Sequence, residues 1–292
     1  MQTTESLKRR IKSAGDLLSV VKTMKALAAV SIRQYQKAVE SLDDYNRTVE
    51  MGLQIVLKER MRTMMQSKAM ASKRMGVIIF GSDQGLCGQL NEQISVYALD
   101  HIQATGVKKE SRKVLAVGAR VADYVEDAGQ PVDELLTTPG STSGITPLVQ
   151  EIIMVIEEWH FKQSVDHFML FYNDYISGAN YRPYHIQLLP VNRDWLKDIA
   201  RKKWESKSLP IYRMDGDRIF SSLIREYLFV SLYRAFAESL ASENASRLAS
   251  MQNAEKNIEE QLLDLHVQFH RTRQMTITEE LLDIVAGFEA LS

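Results

Sequence analysis

Cysteine is almost absent from this chain: Cys87 is the only one in 292 residues, so no internal disulfide can form. That suits a reducing compartment and excludes a small fold held by disulfides. Proline is scarce too, with six in all, none before Pro131 and none after Pro210. Both ends of the chain therefore lack the residue that most effectively stops a helix. No uninterrupted apolar run approaches the roughly 20 residues that cross a bilayer as a helix, so direct membrane insertion is not expected. Residues 1–30 lack the compact apolar stretch and small-residue site of a secretory signal, and export is not expected. The histidines form no HExxH and the single cysteine no CxxC, so no metal site is expected. Net charge is also nearly absent, at −1, with 45% hydrophobic and 25% charged residues, the proportions of a chain with an ordinary core.

What is present first is a seven-residue apolar repeat. From Leu7, steps of four and three give Ile11, Ala14, Leu18, Val21, Lys25, Ala28, Ile32, Tyr35, Val39, Leu42, Asn46, Val49, Leu53 and Val56. Only Lys25 and Asn46 interrupt it. Such a repeat specifies a left-handed coiled coil, because a period of 3.5 keeps the seam turned toward a partner helix. A single helix of about 55 residues, about 80 Å long at 1.5 Å per residue, is expected. The C-terminal end carries its own seam: Ala237, Ala241, Asn244, Leu248, Met251, Glu255, Ile258, Leu262, Leu265 and Phe269. Beyond it the apolar positions shift to Ile277, Leu281, Ile284 and Phe288, so the last turns are expected to project past their partner. The simplest closure pairs the two terminal helices antiparallel within one chain; a homodimeric coiled coil is the rival.

Charge is uneven along the first helix. Lys8, Arg9, Arg10, Lys12, Lys22, Lys25, Arg33 and Lys37 face only Glu5 and Asp16 before Glu40. A basic amphipathic arm of this kind marks a solvated face or an acidic protein partner. The aromatic residues do not interleave with it, so a stacking platform is unsupported and no nucleic acid is expected.

Between the arms the pattern changes. GVIIF, KVLAVG, VDHFMLFY and HIQLLPV are short β-rich runs, while residues 89–104, 118–129 and 145–163 are amphipathic at helical spacing. Strand and helix in alternation predict βαβ units and a mostly parallel sheet covered by helices. Thr146 is expected to cap the helix at 145–163, with Pro147 at its first position. Residues 193–208 are charged and read as a connecting segment. The expected divisions are 1–60 for the N-terminal coiled-coil helix, 76–210 for the inserted α/β domain and 211–292 for the C-terminal helix.

The stretch with the most catalytic appearance is GSDQGLCGQLNE, directly after GVIIF. It lacks the GK[ST] of a phosphate loop, and its glycines at 81, 85 and 88 miss the dinucleotide spacing. Gly81, Asp83, Gly85, Cys87 and Gly88 therefore read as a structural turn, with Asp83 accepting backbone N–H bonds and Cys87 buried. No catalytic residue and no cofactor emerge. A nucleotide-using α/β enzyme centred on this loop and a self-associating coiled-coil scaffold remain as alternatives.

Three stretches carry a resemblance: LKRRIKSAGDLLSVVKTMKALAAVSIRQYQ at the start, VIIFGSDQGLCGQLN in the insert, and SENASRLASMQNAEKNIEEQLLDLHVQFHRTRQMTITEELLDIVAGFEAL at the end. Together they look like the gamma-subunit family of F-type ATP synthases. The resemblance implies a Rossmann-like α/β domain inserted between the arms of a long antiparallel coiled coil. It also implies a rotor role, as the central stalk coupling ion flow to ATP synthesis or hydrolysis. Its implied partners are the alpha and beta subunits of the catalytic ring, the epsilon subunit and the ring of membrane c subunits. The implied place is peripheral, at the cytoplasmic face of a bacterial or archaeal inner membrane. By the same resemblance Lys22, Met24, Arg247, Arg273, Gln274, Thr278 and Glu279 contact the catalytic ring, and gamma binds no nucleotide. Gln84 and Gln89 stand where the family usually has a basic residue and a glycine, and Lys25 where an acidic or polar one is expected. These departures leave room for a divergent branch such as the alternative, sodium-coupled F-type ATPases.

Overall fold

A computed structural model of the chain describes residues 3–64, 74–204, 213 and 215–289. In chain order its principal elements are α1 (Thr4–Glu40), α2 (Asp43–Met64), β1 (Met75–Phe80), α3 (Leu90–Ala104), β2 (Arg112–Val117), α4 (Ala119–Asp127), β3 (Glu134–Leu136), α5 (Ile145–Gln163), β4 (His167–Ser177), β5 (Asn180–Leu189), α6 (Arg193–Arg201) and α7 (Gly216–Glu289). The chain divides into two compact units, residues 1–29 with 247–292 and residues 30–246.

In the first unit α1 and α7 pair antiparallel: Lys22 meets Glu259 and Lys25 meets Glu255, so numbers rise on one helix as they fall on the other. Val21, Met251 and Ile258 are buried between them, with Ala14, Leu18, Met24, Ala254 and Leu262 packed around. These are the seam residues, and the period of 3.5 has kept them on the facing stripe. Past Phe269, Ile277, Leu281 and Ile284 are exposed, as the shift in register anticipates; the side chain of Phe288 lies outside the described residues.

The N-terminal helix is not one rod. It stops at Glu40 after 37 residues and resumes at Asp43 for 22 more. Two local causes act together. The Ser41 hydroxyl donates to the Ala38 carbonyl at 2.8 Å, satisfying a helix end. Asp43 and Asp44 then supply the negative charge that favours a new N-terminus. All seam positions from Leu7 to Val56 nevertheless stay buried or half-buried, because the break does not disturb the phase of the repeat.

The second unit holds a five-stranded sheet in the order β3-β2-β1-β4-β5, parallel except where β4 and β5 form an antiparallel hairpin. β1 is buried at all six positions, as a strand covered on both faces must be. Its even residues, Ile78 and Phe80, join Leu115 and Val117 in a core shared with α5 and with Phe236, Leu240 and Ala241 of α7. Its odd residues, Met75, Val77 and Ile79, join Val114 and Ala116 against Ile94, Ala98 and Ile102 of α3 and Val121 and Val125 of α4. Phe80 and Phe236 meet edge to face at 4.8 Å. Four serine and asparagine positions of α7 are buried in this unit, Ser239, Ser242, Asn244 and Ser246. The Ser242 hydroxyl donates to the Asn173 carbonyl at 2.8 Å, and the Ser246 hydroxyl to the Cys87 carbonyl at 2.6 Å.

Some local expectations are corrected. Thr146 caps nothing: a 3-10 turn at Thr142–Gly144 runs straight into α5, which starts at Ile145, and Pro147 sits inside the first turn. Residues 193–201 of the presumed connector are α6, whose first N–H groups at Asp194 and Trp195 donate to the Asn192 side chain. Its Leu196 and Ile199 bury against Val49, Leu53 and Leu57 of α2. Residues 205–208 of that segment, and the boundary at 210, lie outside the described residues.

Candidate functional site

The glycine-rich loop after β1 is a junction whose polar groups are spent on hydrogen bonds to neighbouring strand ends and to one another. Asp83 Oδ1 accepts from the Ala119 N–H at 2.8 Å, and Oδ2 accepts from the Thr138 N–H at 2.6 Å and the Thr138 hydroxyl at 2.8 Å. One carboxylate thus ties together the ends of three strands. Asn91 Oδ1 accepts from the Ser82 N–H at 2.9 Å, while its amide donates to the Ser82 hydroxyl at 2.8 Å. Gly81 has no room for a side chain, since a Cβ would lie 2.4 Å from Val121 Cβ and 2.6 Å from Asn91 Oδ1. Gly88 has φ +58 and lets the chain turn into α3. Gly85 has open space around it.

Cys87 is buried, and its sulfur lies 3.5 Å from the Ser82 hydroxyl and 3.5 Å from the Asn91 amide. Neither neighbour is a base that could take the thiol proton, so the arrangement does not prepare a nucleophile. The open groove beside it, ≈ 570 Å³, has Arg120 as the one cation among its described lining residues, against Asp123, Glu126 and Asp127. That balance repels a phosphate rather than cradling it. Among the described residues no group of three or more His, Cys, Asp or Glu could hold a metal. None of their helices is long and apolar enough to cross a membrane.

The residues expected to contact a surrounding ring fall into separate places. Lys22 and Met24 sit together on α1. Lys22 Nζ is 3.0 Å from Glu259 Oε1 and 3.8 Å from Glu255 Oε1. These carboxylates raise its pKa above the ordinary lysine value. Met24 is half-buried against the seam. Arg273, Gln274, Thr278 and Glu279 lie exposed on α7, about 21 Å beyond Glu259 at 1.5 Å per residue. Thr278 donates its hydroxyl to the Gln274 carbonyl at 2.9 Å, which puts these two on one ridge. Arg273 instead lines a shallow groove of ≈ 400 Å³ with Thr4, Glu5, Lys8, Phe269, Thr276, Ile277 and Glu280. Arg247 is half-buried and already engaged with a neighbour.

Sequence reasoning missed the outward apolar residues of the first unit. Leu17, Val20 and Leu27 of α1 are each half or more exposed, as are Leu263, Val267 and Leu282 of α7. The signal was available: Leu17, Val20 and Leu27 fall outside the seam, where a solvated coiled coil carries polar side chains.

In the second unit Glu238 of α7 is half-buried beside Tyr172 and Asp174 of β4, with Arg234 on its own helix and Arg182 of β5 held by Asp174 at 2.9 Å. Burial raises the Glu238 pKa, and the charge of Asp174 adds to this; the Tyr172 hydroxyl and Arg234 act in the opposite direction. The folded chain therefore holds a proton there more tightly than the unfolded chain. The resulting stabilisation is complete below the ordinary carboxylate range and is lost as pH rises through the raised value. Glu238→Gln should accordingly raise the thermal midpoint at neutral pH and leave it unchanged near pH 4. Melting curves across that range check this; an equal effect at both ends would mean that proton binding at Glu238 is not the cause.

Comparison with known proteins bears on the whole chain. The family model described as ATP synthase matches residues 3–291. The ATP synthase gamma chain of Buchnera aphidicola subsp. Diuraphis noxia is 26% identical over 295 residues, covering 100% of this chain and 99% of that one. The ATP synthase gamma chain of Polynucleobacter asymbioticus is 26% identical over 296 residues and covers 100% of both chains. A chain of the Euglena gracilis mitochondrial ATP synthase, in the structure of OSCP/F1/c-ring in rotational state 3, superimposes with a TM-score of 0.66 at 16% identity. It covers 99% of this chain and 94% of its own. The rotor of the same Euglena enzyme, in rotational state 1, gives 0.61 at 17% identity, with 94% and 98% covered.

Proposed function

The chain belongs to the ATP synthase family, and from that membership we propose that it works as the gamma chain of the central stalk, a rotor coupling ion flow through a membrane sector to ATP synthesis or hydrolysis. The observation that best supports the role is in the first unit. Two helices bury a continuous seam between them and still turn Leu17, Val20, Leu27, Leu263 and Val267 outward. A helix pair that is apolar on its outer faces needs an enclosing protein. Two helices also lack threefold symmetry, so three sites placed around them meet three different surfaces. A partner changes a site only through such a difference in contact between states.

On this reading the chain itself is non-catalytic. The enclosing partners are alpha and beta subunits, met by Lys22, Met24, Arg247, Arg273, Gln274, Thr278 and Glu279, with Lys8, Arg9, Arg10 and Lys12 turned toward acidic loops of beta. The α/β unit would take the epsilon subunit and the ring of c subunits, with the complex at the cytoplasmic face of a bacterial or archaeal membrane. The exposed placement of Arg273 and Gln274 agrees with a contact that forms only on assembly.

Co-expression with the alpha and beta subunits should give a complex containing three of each and one copy of this chain. A stable dimer of the chain that ignores those subunits would overturn the proposal in favour of a self-associating scaffold. Within the assembled complex, Arg273→Ala should lower coupled turnover by roughly tenfold, the effect of losing about 1.4 kcal/mol of charge-assisted bonding. Circular dichroism of the isolated variant should match the parent, and lost helix content would assign Arg273 to folding instead.

A further inference from the structure

Lys25 and Glu255 are the only charged residues in the two apolar seams, one on each helix, and the fold sets them against each other. Their side chains form a direct ion pair that is two-thirds or more shielded from solvent, at 34% and 17% exposure. Lys22 approaches the same carboxylate at 3.8 Å and bonds Glu259 at 3.0 Å, so two ammonium groups converge on two acids. The Glu255 carboxyl is held below the ordinary range, first by the bond from Lys25.

We propose that the Lys25–Glu255 pair is the register key of the coiled coil, selecting one axial alignment of α1 with α7 of the same chain and disfavouring slipped or self-paired helices. The apolar residues immediately around the pair make that selection only weakly. Leu18, Val21 and Met24 pack with Met251, Ala254, Ile258 and Leu262, and the heptad repeat would bring mostly apolar seam positions opposite these apolar residues again after a slide of one heptad. Such a slide sets Lys25 against Leu262 and Glu255 against Ile32, or in the other direction Lys25 against Leu248 and Glu255 against Leu18. Either leaves two charges facing apolar side chains without a partner. Parallel pairing of two α1 helices in register opposes Lys25 to Lys25, and two α7 helices oppose Glu255 to Glu255, so self-association is disfavoured by the same residues.

Shielded ion pairs add little net stability over apolar replacements of similar size, and their best-attested use is to select register and partner. The consequence for position is large. A slip of one heptad moves α7 by about 10 Å along α1 and carries Arg273 away from Thr4 and Lys8. None of this depends on the rotor role.

The test uses the full chain with Cys87→Ser and two introduced cysteines as a ruler. Val21→Cys with Ile258→Cys reports the observed alignment, and Val21→Cys with Leu265→Cys reports a slip of one heptad. With the native pair, oxidation should link the first combination and not the second. Lys25→Met with Glu255→Met should keep the helix content and thermal midpoint, yet distribute crosslinks over both combinations or into covalent dimers. The exchange Lys25→Glu with Glu255→Lys should restore the single product, and Lys25→Glu alone should lose it. If the double methionine variant still links only Val21→Cys to Ile258→Cys, or if the exchanged pair behaves like the methionine pair, the proposal is overturned.

Discussion

Replacing Gly118 by alanine is expected to destabilise the chain by about 4 kcal/mol, combining backbone strain with overpacking of a site that cannot relax. Gly118 has φ +112 and ψ 127, a region that side chains of L-residues do not occupy comfortably. A Cβ there would lie 2.8 Å from the nitrogen, the carbonyl carbon and the oxygen of Ser82, all backbone atoms. That backbone has no freedom to retreat. The Ser82 N–H donates to Asn91, its carbonyl accepts from the Arg120 N–H at 3.0 Å, and the Gly118 N–H donates to the Leu136 carbonyl at 2.8 Å. Urea unfolding of Gly118→Ala beside Gly140→Ala measures the effect. The second glycine has open space around its Cβ position and should change stability by less than about 0.5 kcal/mol. Two variants within 1 kcal/mol of each other would show that the junction yields and that the packing argument is wrong.

Asp83→Ala is expected to cost about 2–3 kcal/mol, more than any other single polar truncation in the same loop. The variant leaves the N–H groups of Ala119 and Thr138 and the Thr138 hydroxyl without their shared acceptor. The bond to Ala119 is solvent-exposed, so water replaces part of it, which keeps the loss below that of a fully buried carboxylate. Asp83→Asn should recover little, because one end of the amide would aim a donor at groups that are themselves donors. Chemical denaturation of the two variants tests this. An asparagine variant as stable as the parent would mean that the negative charge and second acceptor are dispensable.

Periodic features of this fold were legible in the sequence; features set by contacts distant in sequence were not. The seams predicted the buried stripe of α1, α2 and α7, and β1, β2 and β4 were read because a covered parallel strand needs a run such as VIIF or KVLAV. β3 escaped because Glu134–Leu136 is three residues long and only its Leu136 joins the core. The turn at Ser41–Leu42 escaped because the heptad phase passes through it unbroken. Asp83 was recognisable as a backbone acceptor, but its donors Ala119 and Thr138 lie 36 and 55 residues away, and only the sheet order brings them in. Lys25 stood out as an interruption in its seam, and Glu255 stood in the other seam without remark; their pairing required the alignment of the helices. The exposed side chains from Arg273 to Glu279 carry no periodic or packing signal in the chain alone, so their reading came from the family resemblance.

The serines of α7 have a consequence for what the sheet can be used for. In open sheets of mostly parallel strands, ligands settle outside the carboxyl ends of the strands where the strand order reverses, here between β1 and β4. Ser246 reaches the carbonyl of Cys87 just after β1, Ser242 reaches that of Asn173 on β4, and Phe236 stands edge-on to Phe80 at the end of β1. The chain's own helix thus fills the crevice that a cofactor would otherwise enter, and it does so with hydrogen bonds as well as packing. An architecture that elsewhere grips a small molecule grips a helix here, and the sheet becomes a bracket whose cargo is part of itself.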